Sequence, residues 1–335
     1  MTEHETSWDG LSIAPDWPNG ATIVVRRTDG DMLLLHRAHH GPDFDGDWAW
    51  TPPAGCRRPG EPILAGALRE MAEEAGLDGI EITPIDLSVR WALFTAEVSQ
   101  DTAVTLVDVE HDQFQWVRPA EAIAMCKPNA VSSCVRRVSM MPAPTVGFRS
   151  LTRADLPSLL TWLNTPHVAR WWTDRPADID GADIDSAEAK YGPRIDGVLI
   201  DGVEPTRVDV ILADGRPIGF IQSTPLAADP DYLATAAAAT DGGADAVTLD
   251  YAIGEPDLIG QGIGARVIWA YMRDVVFSRA PQTRFVVVTP TSTNAASVRA
   301  CEKAGFQRIG DFFPPEPDAV RHALCVLDRG RVFGL

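Results

Sequence analysis

The sequence predicts an α/β (α+β) protein built from two domains. A length of 335 residues exceeds one average domain, since domains commonly have about 100–200 residues. In both halves, short apolar runs rich in β-branched residues alternate with helical stretches that end at glycine. Between the halves stand Pro142 and Pro144, and proline neither continues a helix nor donates to a strand ladder. We therefore expect a first domain at 1–141, a linker at 142–147 and a second domain at 148–335.

The overall charge disfavours one large class of functions. The chain has 47 acidic and 29 basic residues and a net charge of −18, which is unsuited to binding nucleic acid by neutralising its phosphates. No apolar run is long enough to cross a membrane, and none near the N-terminus resembles a signal peptide. We expect a cytoplasmic protein with five reduced cysteines and with no nucleic-acid or membrane partner. The seven histidines lack zinc-type spacing, so no histidine–cysteine metal site is expected.

The elements of the first half follow from turn and periodicity signals. A hairpin is predicted where two apolar runs, at 23–25 and 33–35, flank the turn dipeptide Asp29-Gly30. A helix is predicted from Pro62, which suits a first helical turn, to Ala75, just before a glycine. The remaining predicted elements are strands at Trp91–Ala96, Thr102–Val107 and Phe114–Val117 and a helix at Pro119–Met125.

The helix that begins at Pro62 contains a cluster of negative charge. Glu70, Glu73 and Glu74 stand at positions i, i+3 and i+4 on one helix face, where like charges repel. Clustered carboxylates are the ligands that hard divalent cations prefer, and Mg²⁺ in such sites usually also binds substrate phosphates. For three glutamates taken alone, a solvated acidic face is the alternative.

The spacing around these glutamates resembles the Nudix box, G-x5-E-x7-R-E-U-x-E-E-x-G-U, in which U is aliphatic. Every defined position of the box matches, namely Gly55, Glu61, Arg69, Glu70, Met71, Glu73, Glu74, Gly76 and Leu77. The resemblance implies a Nudix α/β/α sandwich that hydrolyses a nucleoside diphosphate derivative. It also implies Mg²⁺ held by Glu61, Glu70, Glu73 and Glu74. Arg69 is expected to pair with a box glutamate and is a candidate substrate-binding residue.

Hydrolysis at such a site needs an activated water and a base. Metal ions bridge the pyrophosphate oxygens, and a carboxylate takes the proton of the attacking water. The candidate catalytic carboxylates are Glu73, Glu74 and Glu110. Glu110 begins a stretch, 110–116, that resembles the E-H-x-x-x-x-W segment of Nudix hydrolases acting on dinucleoside polyphosphates and related nucleotides, with a strand-end carboxylate that has no catalytic role as the alternative. Trp48 and Trp50 precede the box and are candidates for stacking on a base, with packing in the core as the alternative.

A glycine-rich turn follows a predicted strand in the second half. The strand is predicted at Val247–Ala252, and a helix is predicted from about Gly262 to Phe277, with an apolar stripe of Ile263, Val267, Tyr271 and Val275. The glycines between them leave backbone N–H groups open to an anion at the helix N-terminus. A dinucleotide-binding fold could use such a turn, but the acidic residue expected about 20 residues further on is missing.

The longer order resembles the GNAT N-acetyltransferases, whose central sheet is mixed and mostly antiparallel. The order continues with an apolar strand, Phe285–Thr289, and a helix that runs from Asn294 to the Gly305-Phe306 pair. Four segments resemble aminoglycoside 6'-N-acetyltransferases in particular: Val168–Trp172, Arg216–Ser223, Leu249–Pro256 and Glu302–Phe306. The resemblance implies acetyl-CoA in a gap between two strands, with its pyrophosphate on the glycine turn. The implied cofactor-binding residues are Ile259, Gly260, Gln261, Gly262, Ile263, Gly264, Ala265 and Asn294.

The same resemblance implies an acceptor site. Asp250 is expected to hold or deprotonate the acceptor amine, with a strand-end hydrogen-bonding role as the alternative. Cys301 stands where relatives have a tyrosine near the CoA sulfur, a position for a general acid. Thr289 stands where relatives have an aspartate that grips the aminoglycoside. Trp171 and Trp172 are candidates for lining the acceptor pocket, with packing as the alternative.

The charge distribution favours a cationic acceptor. Residues 174–257 hold 18 acidic and 5 basic residues, whereas residues 258–335 hold 6 acidic and 10 basic residues. An anionic cofactor beside a polyamine fits this asymmetry, with solubility as the alternative. We expect an acetyl-CoA-dependent N-acetyltransferase acting on an amine of an aminoglycoside-like molecule. A siderophore-precursor N-acyltransferase with a nucleotide-sensing Nudix domain, a protein-binding scaffold with vestigial sites, and a homodimer are left open.

Overall fold

The computed structural model describes residues 5–7, 10–172, 184–198, 206–228, 230–314 and 320–334. They form two compact units, one made mainly of Met1–Pro142 and the other mainly of Ala143–Glu302 with Phe306–Arg329. Each unit has its own mixed sheet, so the predicted α/β (α+β) class is confirmed. Among the residues that the structure describes, no helix combines the length and the apolar character needed to cross a membrane.

The first unit is organised around a central strand, β1. Its strands are β1 Gly20–Arg27, β2 Met32–Arg37, β3 Trp50–Thr51, β4 Ala54–Cys56, β5 Ile82–Asp86, β6 Trp91–Val98 and β7 His111–Val117, and its helices are α1 Ile63–Ala75, α2 Pro119–Met125 and α3 Asn129–Met140. β1 pairs in parallel with β6 and antiparallel with β2 and β4. β2 pairs with β7, so β7 lies at the far side of β2 from β1. Val131, Val135 and Val138 of α3 pack into a core with residues of the sheet.

Two of the predicted elements in this unit differ from the structure. The hairpin is confirmed, but its connection spans Thr28–Asp31, and Gly30 alone of these residues has a positive φ, of 94°. The strand predicted at Thr102–Val107 is wrong, because this segment joins no ladder. Its backbone instead satisfies the end of α1, where the Thr105 N–H donates to Ala75 O at 3.0 Å.

The second unit is a sheet in which one neighbouring pair runs parallel. Its strands are β8 Val146–Ser150, β9 Arg207–Ala213, β10 Arg216–Pro225, β11 Ala246–Ile253, β12 Phe285–Val288, β13 Gln307–Phe312 and β14 His322–Asp328. The strand order is β13-β14-β12-β11-β10-β9-β8, and every pair except β11–β12 is antiparallel. β11 and β12 pair only over Ala246–Thr248 and Phe285–Val287. Beyond Thr248 the two strands diverge, which leaves a gap between them.

The helices of the second unit include a long one with a π-turn in its middle. The helices are α4 Leu156–Asn164, α5 Pro166–Ala169, α6 Ile184–Ile195, α7 Pro230–Ala236, α8 Ile263–Tyr271, α9 Phe277–Arg279 and α10 Ala295–Lys303. A last short helix, α11 Arg329–Val332, consists mostly of residues grouped with the first unit. α8 continues through a π-turn at Met272–Val276 into α9. Because a π-turn adds a residue to the helical repeat, Val276 and not Val275 becomes the buried valine at the end of the predicted stripe.

Gly254, which directly follows β11, offers a test of packing in this unit. A Cβ at Gly254 would lie 2.1 Å from the indole of Trp162, which is buried and donates from Nε1 to Glu255 Oε1 at 3.0 Å. We expect Gly254→Ala to lower the free energy of unfolding by about 1–3 kcal/mol, because the indole has to move. Chemical denaturation measures the loss. Gly147→Ala is the matched control, since its Cβ would lie 3.9 Å from the nearest atom; an equal loss in both variants would contradict the steric cause.

Candidate active sites

Two positions of the box motif require glycine because of their local geometry. A Cβ at Gly55 would lie 1.9 Å from Glu70 Cδ, so only glycine leaves room for this carboxylate. Gly76 ends α1 in the left-handed conformation, with φ of 65°, and its N–H donates to Ala72 O at 3.0 Å. Gly55 therefore lets the Glu70 carboxylate of α1 pack directly against β4, and Gly76 ends the helix.

Arg69 lies in a cluster with three of the four predicted metal ligands. Its Nε donates to Glu61 Oε1 at 2.8 Å, and its Nη1 donates to Glu70 Oε1 at 2.7 Å and to Glu73 Oε2 at 2.9 Å. The hydrogen bond with Glu61 raises the pKa of Arg69 above its ordinary value. Burial alone would raise the pKa of Glu61, but the hydrogen bonds from Arg69 and from the Arg58 N–H, together with the positive charges of both arginines, lower it. The expected pairing of Arg69 with a box glutamate is thus present, while its contact with substrate stays a prediction.

The fourth glutamate, Glu74, belongs to a different group of side chains. Glu74 is 2% exposed, and its Oε2 accepts a hydrogen bond from the Ala54 N–H at 2.8 Å. Potential ligand atoms of Glu74, Glu110 and His111 all lie within 4.8 Å of one another. Burial raises the pKa of Glu74 well above its ordinary value, and the charges of Glu70 and Glu110 raise it further. A cation beside these carboxylates would offset both effects, so the residues present fit a bound divalent ion.

Glu110 and His111 reach this group from the start of β7. Arg37 on β2 pairs with Glu110 through Nη1 and Oε1, and the Glu110 N–H donates to Asp108 Oδ1 at 3.0 Å. The β2–β7 ladder shifts register at this point, because His36 is opposite Gln113 whereas Arg37 is opposite His111. Such a bulge redirects side chains at the edge of a sheet. The sequence motif includes both Glu110 and His111, but a function was predicted for Glu110 only.

His111 itself is buried and neutral. It is 4% exposed, and burial lowers its pKa to about 4, an effect that the nearby Asp108 opposes. Nδ1 lies 3.5 Å from Asp108 Oδ1. Neither ring nitrogen makes a hydrogen bond to any residue that the structure describes.

A cavity of about 590 Å³ lies beside the carboxylates. Arg37 and Ala54, which contact Glu110 and Glu74 respectively, both line it. Its wall also contains two further arginines and two tryptophans: Arg90, Arg137, Trp48 and Trp91. This combination of aromatic and cationic side chains suits a nucleotide, whose base stacks and whose phosphates pair with arginine.

The two tryptophans named in the sequence analysis have different positions. Trp48 is 51% exposed and lines the cavity, and its φ of 68° is a left-handed conformation that bulky residues rarely adopt. Backbone strain of this kind tends to occur at functional sites. Trp50 is 8% exposed, and its ring lies 4.8 Å from that of His36 in the core. Trp50 therefore serves packing, the alternative considered for it.

The glycine turn of the second unit has the geometry of an anion site. Gly260 and Gly262 have φ of 79° and 78°, and Gly262 is the N-cap of α8, where it provides no side chain to occupy the free N–H groups. Gln261 closes the turn by donating from Nε2 to Asp257 O at 2.5 Å. Ile259 is about half exposed, whereas Ile263 and Ala265 pack inside. The residues present fit the pyrophosphate of a coenzyme A group.

Two successive side chains of β11 follow the point where the sheet opens. Asp250 is exposed, and its Oδ2 accepts a hydrogen bond from Gln222 Nε2 at 3.1 Å. Tyr251, on the opposite face, places its hydroxyl 3.2 Å from Ser297 Oγ and 3.8 Å from where a Cβ of Gly264 would stand. Burial raises the pKa of Tyr251 above its ordinary value, so the phenol keeps its proton. Sequence reasoning missed Tyr251, although it directly follows Asp250.

Cys301 lies deeper than its predicted role suggests. It is 0% exposed on α10, and its hydrogen bond with Cys325, together with burial, raises its pKa well above the ordinary value. On the same helix, Asn294 accepts a hydrogen bond from the Ser297 N–H at 3.2 Å and caps the N-terminus. Thr289 is half-buried just after β12.

The predicted acceptor tryptophans both make contacts within the second unit. Arg170 stacks over Trp171 at 4.6 Å, and the Trp172 ring meets Phe220 edge-on at 4.8 Å. Trp172 belongs to the edge of the core that α4 and α6 form with the sheet. Their contact with an acceptor stays a prediction.

Comparison with known proteins finds relatives for each unit. The sequence matches the NUDIX domain family over residues 16–134 and the acetyltransferase (GNAT) domain family over residues 152–312. It is 33% identical over 118 residues to the bis(5'-nucleosyl)-tetraphosphatase [asymmetrical] of Sus scrofa, covering 31% of this chain and 74% of that protein. It is 28% identical over 182 residues to the aminoglycoside N(6')-acetyltransferase type 1 of Klebsiella pneumoniae, covering 52% and 81%. A crystal structure of an aminoglycoside acetyltransferase with coenzyme A is 22% identical, with a TM-score of 0.43 over 56% of this chain and 96% of that one.

Proposed function

Since the chain belongs to the Nudix hydrolases through its first domain and contains a GNAT acetyltransferase domain in its second, we propose that it is a bifunctional enzyme. The first domain hydrolyses a nucleoside diphosphate derivative with Mg²⁺. The second transfers an acetyl group from acetyl-CoA to an amine of a cationic, aminoglycoside-like molecule. The observation on which the hydrolase depends is the buried Glu74 beside Glu110, next to an arginine-lined cavity.

In the hydrolase, the protein residues divide into metal-holding and substrate-holding groups. A bound Mg²⁺ would neutralise phosphate charge and activate a water. Glu74 and Glu110 hold the cation, and Arg69 keeps Glu70 and Glu73 facing the same region. The arginines of the cavity bind phosphates, and Trp48 stacks on a base. Glu73, Glu74 and Glu110 remain the candidates for the group that accepts the proton of water.

The substrate proposed for the hydrolase is a dinucleoside polyphosphate. The Sus scrofa relative is named for such a substrate, and the cavity combines tryptophans with several arginines. The test is product analysis by chromatography for diadenosine tetraphosphate, nucleoside diphosphate sugars and nucleoside triphosphates, each with Mg²⁺ and with a chelator. Cleavage of mononucleotides in preference to dinucleotides would contradict this substrate class.

In the acetyltransferase, main-chain groups bind the cofactor and side chains move the protons. The N–H groups at Gly260–Gly264 bind the pyrophosphate. Asp250 holds the acceptor amine and takes its proton as nitrogen attacks the thioester carbonyl. The new bond is N–C, the bond that breaks is C–S, and Tyr251 gives a proton to the departing thiolate. This assigns to Tyr251 the general-acid role expected of Cys301, because the Tyr251 hydroxyl adjoins Gly264 of the glycine turn, whereas the Cys301 thiol is hydrogen-bonded to Cys325.

Tyr251→Phe tests this assignment. We expect the variant to lower kcat of acetyl transfer about 10²-fold and to leave the KM for acetyl-CoA unchanged, since only the proton donor is removed. Release of free thiol measures the rate. Tyr271→Phe is the matched control, because the Tyr271 hydroxyl donates to buried Asp209 at 2.8 Å and lines no part of the glycine turn. Equal kcat losses in the two variants would show a structural role for Tyr251 instead.

The acceptor is identified by a screen of amines with acetyl-CoA. Kanamycin-type aminoglycosides, polyamines and hydroxylysine cover the proposed class and the siderophore-precursor alternative. We expect the aminoglycosides to give the fastest thiol release. Release with hydroxylysine alone would favour the siderophore-type acyltransferase, and release with none of them would contradict the acetyltransferase proposal.

A further inference from the structure

We propose that His111 is a nitrogen ligand of the cation held by Glu74 and Glu110, which makes this centre a site for Mn²⁺ as well as Mg²⁺. The inference deepens the proposed hydrolase function and rests on it. It adds an imidazole to a set of ligands that the sequence predicted to be carboxylates alone.

The first argument is the position of the imidazole. The ligand atoms of His111, Glu74 and Glu110 lie within 4.8 Å of one another, close enough for a single ion to reach all three. His111 is 4% exposed and Glu74 is 2% exposed, so bulk water has little access to either side chain. This group joins two different elements of the fold, the end of α1 and the start of β7, at the point where the β2–β7 ladder shifts register.

The second argument is that, among the residues that the structure describes, Nε2 of His111 has no polar partner, while Nδ1 has only the Asp108 carboxylate, 3.5 Å away. A buried Nε2 without a partner is unfavourable, because the atom has lost its hydrogen bonds to water and has gained none in the protein. His36, on the neighbouring strand, is the informative contrast. It is equally buried, yet its Nδ1 lies 2.6 Å from Asp112 Oδ1 and its Nε2 lies 2.8 Å from Phe44 O. A metal ion would supply the partner that His111 lacks.

The third argument concerns what surrounds the proposed ligand. Asp108 Oδ1 lies 3.5 Å from His111 Nδ1 and also accepts the Glu110 N–H at 3.0 Å. Histidines that bind metals commonly direct the second ring nitrogen at a carboxylate, which fixes the ring. Asp108 therefore occupies the position of such an orienting carboxylate beside Nδ1, and Nε2 is the nitrogen that binds the ion.

The choice of ion follows from the ligand chemistry. Carboxylates alone suit Mg²⁺, Ca²⁺ and Mn²⁺, whereas an imidazole adds affinity for transition metals. Mn²⁺ accepts both kinds of ligand, so it is the ion expected to gain from His111. The remaining box glutamates stay with Arg69, which is already hydrogen-bonded to Glu61, Glu70 and Glu73.

The test is pulsed electron paramagnetic resonance of Mn²⁺ bound to the full chain without nucleotide. A directly coordinated imidazole gives ¹⁴N modulation of the electron spin echo, which a merely structural histidine does not. We expect this modulation in the wild type and in His36→Gln, and its loss in His111→Ala. We also expect His111→Ala to weaken Mn²⁺ binding at least about tenfold, because removing only a group that orients a metal ligand already costs about that much affinity.

The wild-type spectrum decides the inference even if a variant fails to fold. Bound Mn²⁺ without ¹⁴N modulation, or no Mn²⁺ binding at all, would overturn it. Hydrolysis of nucleotides with Mg²⁺ in the same preparation would then leave the proposed function standing. Conversely, ¹⁴N modulation in a protein that hydrolyses no nucleotide would support the nitrogen ligand and overturn the hydrolase.

Discussion

Glu74→Gln is expected to reduce Mg²⁺-dependent hydrolysis about 10²–10⁴-fold, the range associated with loss of an essential ionised group. Glutamine keeps the size of the side chain and can still accept the Ala54 N–H, so the helix keeps its contact with the preceding strand. What it loses is the negative charge beside Glu110 that the cation needs. Chromatographic product analysis at saturating Mg²⁺ measures the effect.

The controls for this variant come from the same chain. Glu81→Gln removes an exposed charge outside the box and should leave hydrolysis unchanged. Acetyl transfer by the second domain should be unaffected in both variants, and this activity serves as the check that each variant is folded. If Glu74→Gln retained more than a tenth of the wild-type rate, Glu74 would not be a ligand.

The same substitution should change the pH dependence of stability in the absence of metal. Burial raises the pKa of Glu74 well above 4.5 in the folded protein. A group whose folded pKa is raised stabilises the protein below its unfolded pKa, and that stability is lost as pH rises through the folded pKa. Wild type should therefore lose stability above about pH 4.5, and Glu74→Gln should lose less. Thermal unfolding across this range, with and without Mg²⁺, measures the difference, and parallel profiles would contradict it.

The elements with local signals were predictable from sequence. α1 and α2 were predicted to within one residue, because the proline at the start of each helix and the glycine after α1 are chemical signals within the segment itself. α3 was missed because its buried apolar positions are valines, which favour strands when judged alone. The strand predicted at Thr102–Val107 is wrong for the converse reason. Its alternating pattern is typical of a strand, but no neighbouring strand pairs with this segment, which instead covers the end of α1.

The site residues that sequence reasoning missed depend on contacts between distant segments. His111 lies beside Glu74 at a register shift between β7 and β2, and no local sequence pattern indicates this shift. Tyr251 becomes a candidate acid only because Gly264 and Ser297, from two helices, adjoin its hydroxyl. Trp48 and Trp50 could not be told apart, because strand periodicity puts residues two apart on one face. The left-handed backbone at Trp48 breaks that periodicity.

Asp250→Asn is expected to lower kcat of acetyl transfer about 10²–10⁴-fold, because an amide cannot take a proton from the acceptor amine. Asparagine can still accept the hydrogen bond from Gln222, and Asp250 is exposed, so folding should be preserved. The KM for acetyl-CoA should not change, since the glycine turn on α8 is left intact. Thiol release at varied acceptor concentration separates the two constants.

The competing explanation is that Asp250 merely adds to the negative charge of residues 174–257, which attracts a cationic acceptor. In that case Asp250→Asn would raise the acceptor KM and leave kcat unchanged. Asp241→Asn is the matched control, since Asp241 lies in the same acidic stretch and its left-handed φ of 48° suits asparagine. A general electrostatic effect would appear in both variants and weaken with salt. A proton-transfer role predicts that Asp250→Asn alone loses kcat and that the loss is independent of salt concentration. Measuring kcat of both variants at several ionic strengths therefore distinguishes the two explanations.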